Sequence, residues 1–186
     1  MTVQIQRWQF TVEDYARMLE TGILSEDDRV ELIDGEVRAM SPIGSVHAAI
    51  VKRLLAILTR LMGDTAIVSV QDPIRLNDYT EPEPDVAVLR QRADFYAQGH
   101  PHPDDVLLVI EVADTSLDYD RDEKMPRYAA ANIAEAWLID VASQTVEQYW
   151  QPRNGKYLLK RLAERGDIVL GESLPDLQIA VDRMFE

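Results

Sequence analysis

The chain has 186 residues, no cysteine, 46% hydrophobic residues and a formal net charge of −14, a length suited to one domain with a sizeable core. That composition excludes disulfides, thiolate metal sites and a disordered class. No apolar run approaches the roughly 20 residues of a membrane helix, and MTVQIQRWQF is not built like a secretory signal, so a soluble cytoplasmic protein is expected.

Thr11-Val12-Glu13-Asp14 opens the first helix, with Thr11 as cap and Asp14 complementing the first turn. Val12, Tyr15, Met18 and Leu19 carry it to about Glu20. Arg29–Ile33 and Glu36–Met40 flank Asp34-Gly35, a two-residue hairpin signal. After Ser41-Pro42-Ile43-Gly44, a long helix is expected over Ser45–Met62, its apolar face made by Val46, Ile50, Leu54, Ile57, Leu58 and Leu61, and Gly63 ends it.

Strands follow at Ala66–Val70, Ile74–Leu76, Asp85–Leu89 and Val106–Val112, with an exposed proline-rich loop and one helical turn over Asp94–Asp105. Tyr119–Ala131 reads as helix. Trp137–Val141, Thr145–Trp150 and Tyr157–Leu162 read as strands, Asn154-Gly155 turning the last pair. Leu174-Pro175-Asp176-Leu177 and a short helix close the chain. No repeat or linker divides it, so a single domain spanning 1–186 is expected, of α/β class, with a mixed sheet flanked by helices.

Two patches concentrate the chemistry: Pro84-Asp85-Val86-Ala87-Val88 and Val109-Ile110-Glu111-Val112. Each sets a carboxylate in an apolar run, where a charge is costly unless it is paired or binds a metal. If the two strands are neighbours, Asp85 and Glu111 can reach one hard cation, their side chains within about 5 Å of each other. Magnesium takes one or two carboxylates and keeps waters, one of which can attack a phosphodiester. For each acid alone, a buried ion pair or an ordinary turn carboxylate is the competing reading; the pair is the more specific signal.

Lys124 stands four residues after Asp120, which fits a surface ion pair or an amine directed at the end of the sheet, stabilising phosphate charge. Asp114 is a weaker candidate for a third metal contact. Glu31 shares a strand face with Ile33, opposite Val30, Leu32 and Asp34, and fits either a pocket or a solvated hairpin. His47 lies in the first turn of the long helix, where the dipole is expected to lower its pKa and favour the neutral ring. His100-Pro101-His102-Pro103 fits a solvated loop better than a metal pair.

The charge of −14 would repel a polyanion at long range. Gln144–Arg165 is locally different, with five cations (Arg153, Lys156, Lys160, Arg161, Arg165) against two acids (Glu147, Glu164). A solvated hairpin and a substrate-facing arm both fit. Metal-bound carboxylates would account for part of the negative charge.

The blocks RVELIDGEVRAMSPIGSVHAAIVKRL, EPEPDVAVL, VLLVIEVADTSLDYDRDEKMPRYAAANIAEAWLID and SLPDLQIAV resemble the Uma2 family, also called DUF820, of the PD-(D/E)XK nuclease superfamily. The resemblance runs from about Tyr15 to the C-terminus. It implies a restriction endonuclease-like core and a divalent-metal site (Mg²⁺ or Mn²⁺) in which Asp85 and Glu111 bind metal, with Glu31 and His47 at the ELIDGE and SPxxxxH positions. The superfamily's usual lysine position is Ala113 here, and the resemblance shifts the amine to Lys124 on the following helix. What is expected is an endonuclease hydrolysing nucleic-acid phosphodiesters, with catalytic residues Glu31, His47, Asp85, Glu111 and Lys124. The alternative is a catalytically inactive binding or regulatory module on the same fold. Exposed sheet edges and the apolar long helix point to a homodimer, and the absence of a recognition domain points to a targeting partner.

Overall fold

Residues 7–25 and 27–186 are described in the computed structural model of the chain. The N-terminal stretch read above for a secretory signal begins in residues 1–6, outside the described residues. Helix α1 (Val12–Glu20) starts with Thr11 as the expected cap, and Asp14 bonds back to it to complete a capping box. Strands β1 (Val30–Ile33) and β2 (Glu36–Ala39) form the hairpin. Gly35 is required at its turn: φ is +75°, and an added Cβ would fall 2.5 Å from Gln9 Cβ. The hairpin is tied to the rest of the chain by Gly35 N–H to Tyr79 O at 2.7 Å and by Glu81 N–H to Leu32 O at 2.8 Å.

Helix α2 (Ser45–Met62) lies against one face of a six-stranded sheet. The sheet runs β3 (Ala66–Ser69), β4 (Val86–Arg90), β5 (Val106–Ala113), β6 (Glu135–Asp140), β7 (Thr145–Arg153) and β8 (Lys156–Ala163), in spatial order as in sequence. Only β5 and β6 pair in parallel, and the connection between them carries α3 (Leu117–Tyr119), a π-helical turn (Asp120–Lys124) and α4 (Met125–Ala130). A parallel pair needs such a crossover. A small hairpin, β9 (Ile168–Leu170) with β10 (Gln178–Ala180), and helix α5 (Asp182–Phe185) complete the fold.

Alternation in β5 serves two cores. Leu108, Ile110 and Val112 pack with α2, while Val109 and Ala113 pack with Met125 and Tyr128 of α4. A strand buried on both faces reads as a continuous apolar run, which is why Glu111 stands out within it. Among the described residues, no helix is long and apolar enough to cross a membrane.

The structure corrects the sequence reading at several points. Ile74–Leu76 is not a strand, although Ile74 N–H still bonds Pro82 O at 2.9 Å and Leu76 N–H bonds Thr80 O at 2.9 Å; local ties to the next turn replace a ladder. The helix expected over Tyr119–Ala131 begins at Leu117 and passes through the π turn. The sixth strand begins at Glu135, whose buried carboxylate accepts Trp137 Nε1–H at 2.7 Å and Ser173 N–H at 2.8 Å. Strands β9 and β10, three residues each, were not anticipated because so few residues carry no period. Glu31, Leu32 and Ile33 are all buried, so β1 is covered on both sides rather than having one open face.

Candidate active site

The register of β4 on β5 positions the two acids. Val86 lies opposite Ile110 and Ala87 opposite Val109, so one step further along the same register sets Asp85 opposite Glu111. Residues directly opposed in an antiparallel pair have Cβ atoms about 4.5–5.5 Å apart and point to the same face. A 2.8 Å bond from Val112 N–H to Asp85 Oδ2 fixes the join and aims the other oxygen away from the ladder.

Both acids line a cavity of about 200 Å³, together with Glu31, His47 and Lys124. All five residues singled out from the sequence therefore meet in one place. They arrive from the β1–β2 hairpin, the start of α2, the start of β4, the end of β5 and the crossover helix.

Lys124 is 5% exposed, so it is no surface partner of Asp120, which is 4% exposed itself. Its ammonium lies 3.2 Å from Glu31 Oε2 and 3.2 Å from Glu111 Oε1, and donates to Glu83 O at 3.3 Å. These three acceptors match its three N–H donors. Burial by itself would lower the Lys124 pKa, but Glu111, Glu31, Asp120 and Asp85 outweigh it and hold the amine protonated, well above its ordinary range.

Burial drives the Glu111 carboxyl upward against the pull of Lys124. Tyr128 OH donates to Glu111 Oε1 at 2.6 Å, and Tyr119 OH donates to Glu31 Oε1 at 3.0 Å. Glu31 Oε2 also accepts Glu83 N–H at 3.2 Å. Glu111 Oε2 is left without a hydrogen-bond partner among the described residues.

His47 corrects the expectation of a lowered pKa. Its Nε2 lies 2.9 Å from Asp85 Oδ1, and that bond raises the imidazole pKa against the opposing effect of burial. Gly44 is the N-cap of the helix and no side chain caps it. His47 Nδ1 is buried without a partner. His100 and His102 stay in an exposed loop away from the cavity.

Several wall residues had no legible signal in the sequence. Asp120 is pushed up to about 6 by burial, opposed by Lys124 and by the Ser116 hydroxyl that bonds it. Glu83 is raised by burial and by the neighbouring Glu31 charge. Asp114, which the sequence offered as a weaker metal candidate, is exposed and lines the cavity together with Arg29, Gln71 and Tyr119. Tyr119 and Tyr128 are five and four positions from Lys124 on the same helical stretch, and the four-residue spacing could have suggested Tyr128. The basic segment of β7–β8 does not line the cavity: Lys160 pairs with Glu147 at 2.9 Å and Arg165 with Asp182 at 2.8 Å.

A family model described as "Putative restriction endonuclease" matches residues 12–182. The chain belongs to the Uma2 family. A crystal structure described as a "putative nuclease belonging to DUF820", from Anabaena variabilis ATCC 29413, superimposes on this Uma2 protein with a TM-score of 0.73 at 18% identity, covering 95% of this chain and 97% of that one. The likeness establishes a nuclease-type fold. Curated proteins yield no significant match.

Among the described residues, no three acidic or histidine side chains form a ready-made cation cage. The donor set nevertheless fits a hard cation of the magnesium type, which needs only one or two carboxylates and completes its shell with water. Asp85 and Glu111 offer two such oxygens from neighbouring strands.

Proposed function

We propose that this Uma2 protein is a Mg²⁺- or Mn²⁺-dependent endonuclease that hydrolyses nucleic-acid phosphodiesters. The observation that carries the reading is the β4–β5 register, which opposes Asp85 to Glu111 at a cavity where Lys124 is held between Glu111 and Glu31. Asp85 and Glu111 would hold the cation. When bound, it would acidify a water and polarise a phosphoryl oxygen. Lys124 places a fixed positive charge beside the reacting phosphate, where negative charge grows during attack. Glu31 holds Lys124 in place, and His47 holds Asp85.

Titration calorimetry with Mn²⁺ and Mg²⁺, on wild type and an Asp85→Ala/Glu111→Ala variant, tests this reading. Metal heat in the wild type that the variant lacks, with cleavage of single- or double-stranded oligonucleotides, is the expected result. No metal heat in the wild type overturns it.

A second reading, a fold that binds but does not cut, draws on Ala113. The residue is fully buried among the side chains beneath α4, so the strand itself supplies no amine. Metal uptake without cleavage of any nucleic acid would favour it. We also propose a homodimer, supported by Leu158, Leu159 and Leu162 lying exposed on the edge strand β8. A cytoplasmic setting accords with the absence of cysteine.

A further inference from the structure

The cavity wall carries six carboxylates (Glu31, Glu83, Asp85, Glu111, Asp114, Asp120) and two permanent cations, Arg29 and Lys124. A phosphodiester brings another negative charge to this surface. Lys124 cannot anchor it in the ground state, because all three of its donors are spent on Glu31, Glu111 and Glu83 O.

Arg29 is placed differently. It immediately precedes β1 and is exposed, so it stands at the open side of the cavity that it lines. Its backbone is fixed by the hairpin, Met40 N–H donating to Arg29 O at 2.8 Å. Its charge is close enough to oppose the protonation of both His47 and Glu83. Among the described residues, no carboxylate lies within ion-pair distance of it, whereas Arg38, Arg121 and Arg127 are each paired with one.

We infer that Arg29 is the phosphate clamp of this site: its guanidinium, unpaired among the described residues, grips a backbone phosphate of the nucleic acid at the cavity mouth. Substrate binding and chemical assistance are thereby divided between the two cations. The planar fork of arginine suits two phosphate oxygens at once, which a lysine cannot match. The inference rests on the nucleic-acid reading of the site.

The test measures binding of a fluorescein-labelled oligodeoxynucleotide, single-stranded and duplex, by anisotropy across a salt series. Ca²⁺ replaces Mg²⁺ to hold back cleavage. Arg29→Ala is expected to weaken binding roughly five- to tenfold at about 0.1 M salt and to flatten the slope of log K against log salt by about 0.7–0.9, the loss of one phosphate contact. Arg29→Lys recovers part of the affinity. Arg92→Ala, which removes a guanidinium already paired with Asp94 at the far end of β4, leaves the slope unchanged. Mn²⁺ affinity, read separately by calorimetry, does not fall in Arg29→Ala, since removing a cation from the wall cannot weaken the hold on another. Wild-type binding with an unaltered slope in Arg29→Ala overturns the clamp alone. A wild type that binds neither oligonucleotide overturns the clamp together with the nuclease reading.

Discussion

Replacing Lys124 with methionine removes one ammonium from between two nearly inaccessible carboxylates, Glu31 at 1% and Glu111 at 2% exposure. Methionine keeps most of the side-chain volume, so the cost is electrostatic rather than a cavity. Both acids lose a partner at 3.2 Å, and Glu83 O loses its 3.3 Å donor. Breaking a buried pair from one side typically costs about 3–5 kcal/mol. That is a large part of the roughly 5–15 kcal/mol that holds a domain together. Urea unfolding at neutral pH should register this loss as a lower midpoint with an unchanged slope, and thermal unfolding should fall by about 6–20 °C at ~2–4 °C per kcal/mol. Adding Glu111→Gln removes one stranded charge. The double variant should therefore be more stable than the sum of the two single losses, with a coupling of about 1–3 kcal/mol. A Lys124→Met variant within about 1 kcal/mol of wild type, or strictly additive losses, would refute the buried-triad account.

Tyr128→Phe removes the 2.6 Å bond to Glu111 Oε1; Mn²⁺ affinity by calorimetry should drop about 10–100-fold, as when other partners that orient a ligand are lost, while far-UV circular dichroism stays native. Glu147 is buried, yet Arg121, Tyr149 and Lys160 outweigh burial and depress its pKa. It therefore contributes stability above its unfolded pKa of about 4.3 and loses it as the pH falls through the lower folded value, so the stability gap between wild type and Glu147→Gln should be full at pH 7 and close in acid. In the proposed dimer, a two-fold axis at Leu159 sets Lys156 opposite Leu162, Tyr157 opposite Arg161 and Leu158 opposite Lys160, whereas centring on Leu158 or Lys160 opposes cation to cation. Since the chain has no other cysteine, Leu159→Cys should form a disulfide-linked dimer under mild oxidation, and a protein that stays monomeric at high concentration in sedimentation would remove the dimer.

The strand-borne acids were legible because a charge inside a continuous apolar run conflicts with burial, and sequence displays such conflicts. The α2 span and the Asp34-Gly35 turn were legible through periodicity and turn chemistry. The state of His47 was not, since its partner Asp85 lies 38 positions away and outweighs the dipole of its own helix. Asp120 and Glu83 look like ordinary surface acids in the sequence; their burial and their distant neighbours, Asp85 for one and Glu31 for the other, arise only in the fold. Arg29 was passed over because an exposed arginine beside a strand carries no pattern; what marks it is its place on the wall of an acidic cavity.

The amine of this site is carried on a helix that is docked to the sheet. Two clamps, Arg38 to Glu123 at 2.8 Å and Arg127 Nε to Asp34 at 3.1 Å, bind that helix to the β1–β2 hairpin. The hairpin tip thus acts as a remote adjustment of where the ammonium stands, while the acids stay fixed in their strands. On the proposed reading, changes at Asp34 or Glu123, neither of which lines the cavity, would detune cleavage and leave cation uptake intact. If the proposed chemistry holds, a lineage bearing this architecture would have a way to silence cutting in small steps while Asp85 and Glu111 stay in position.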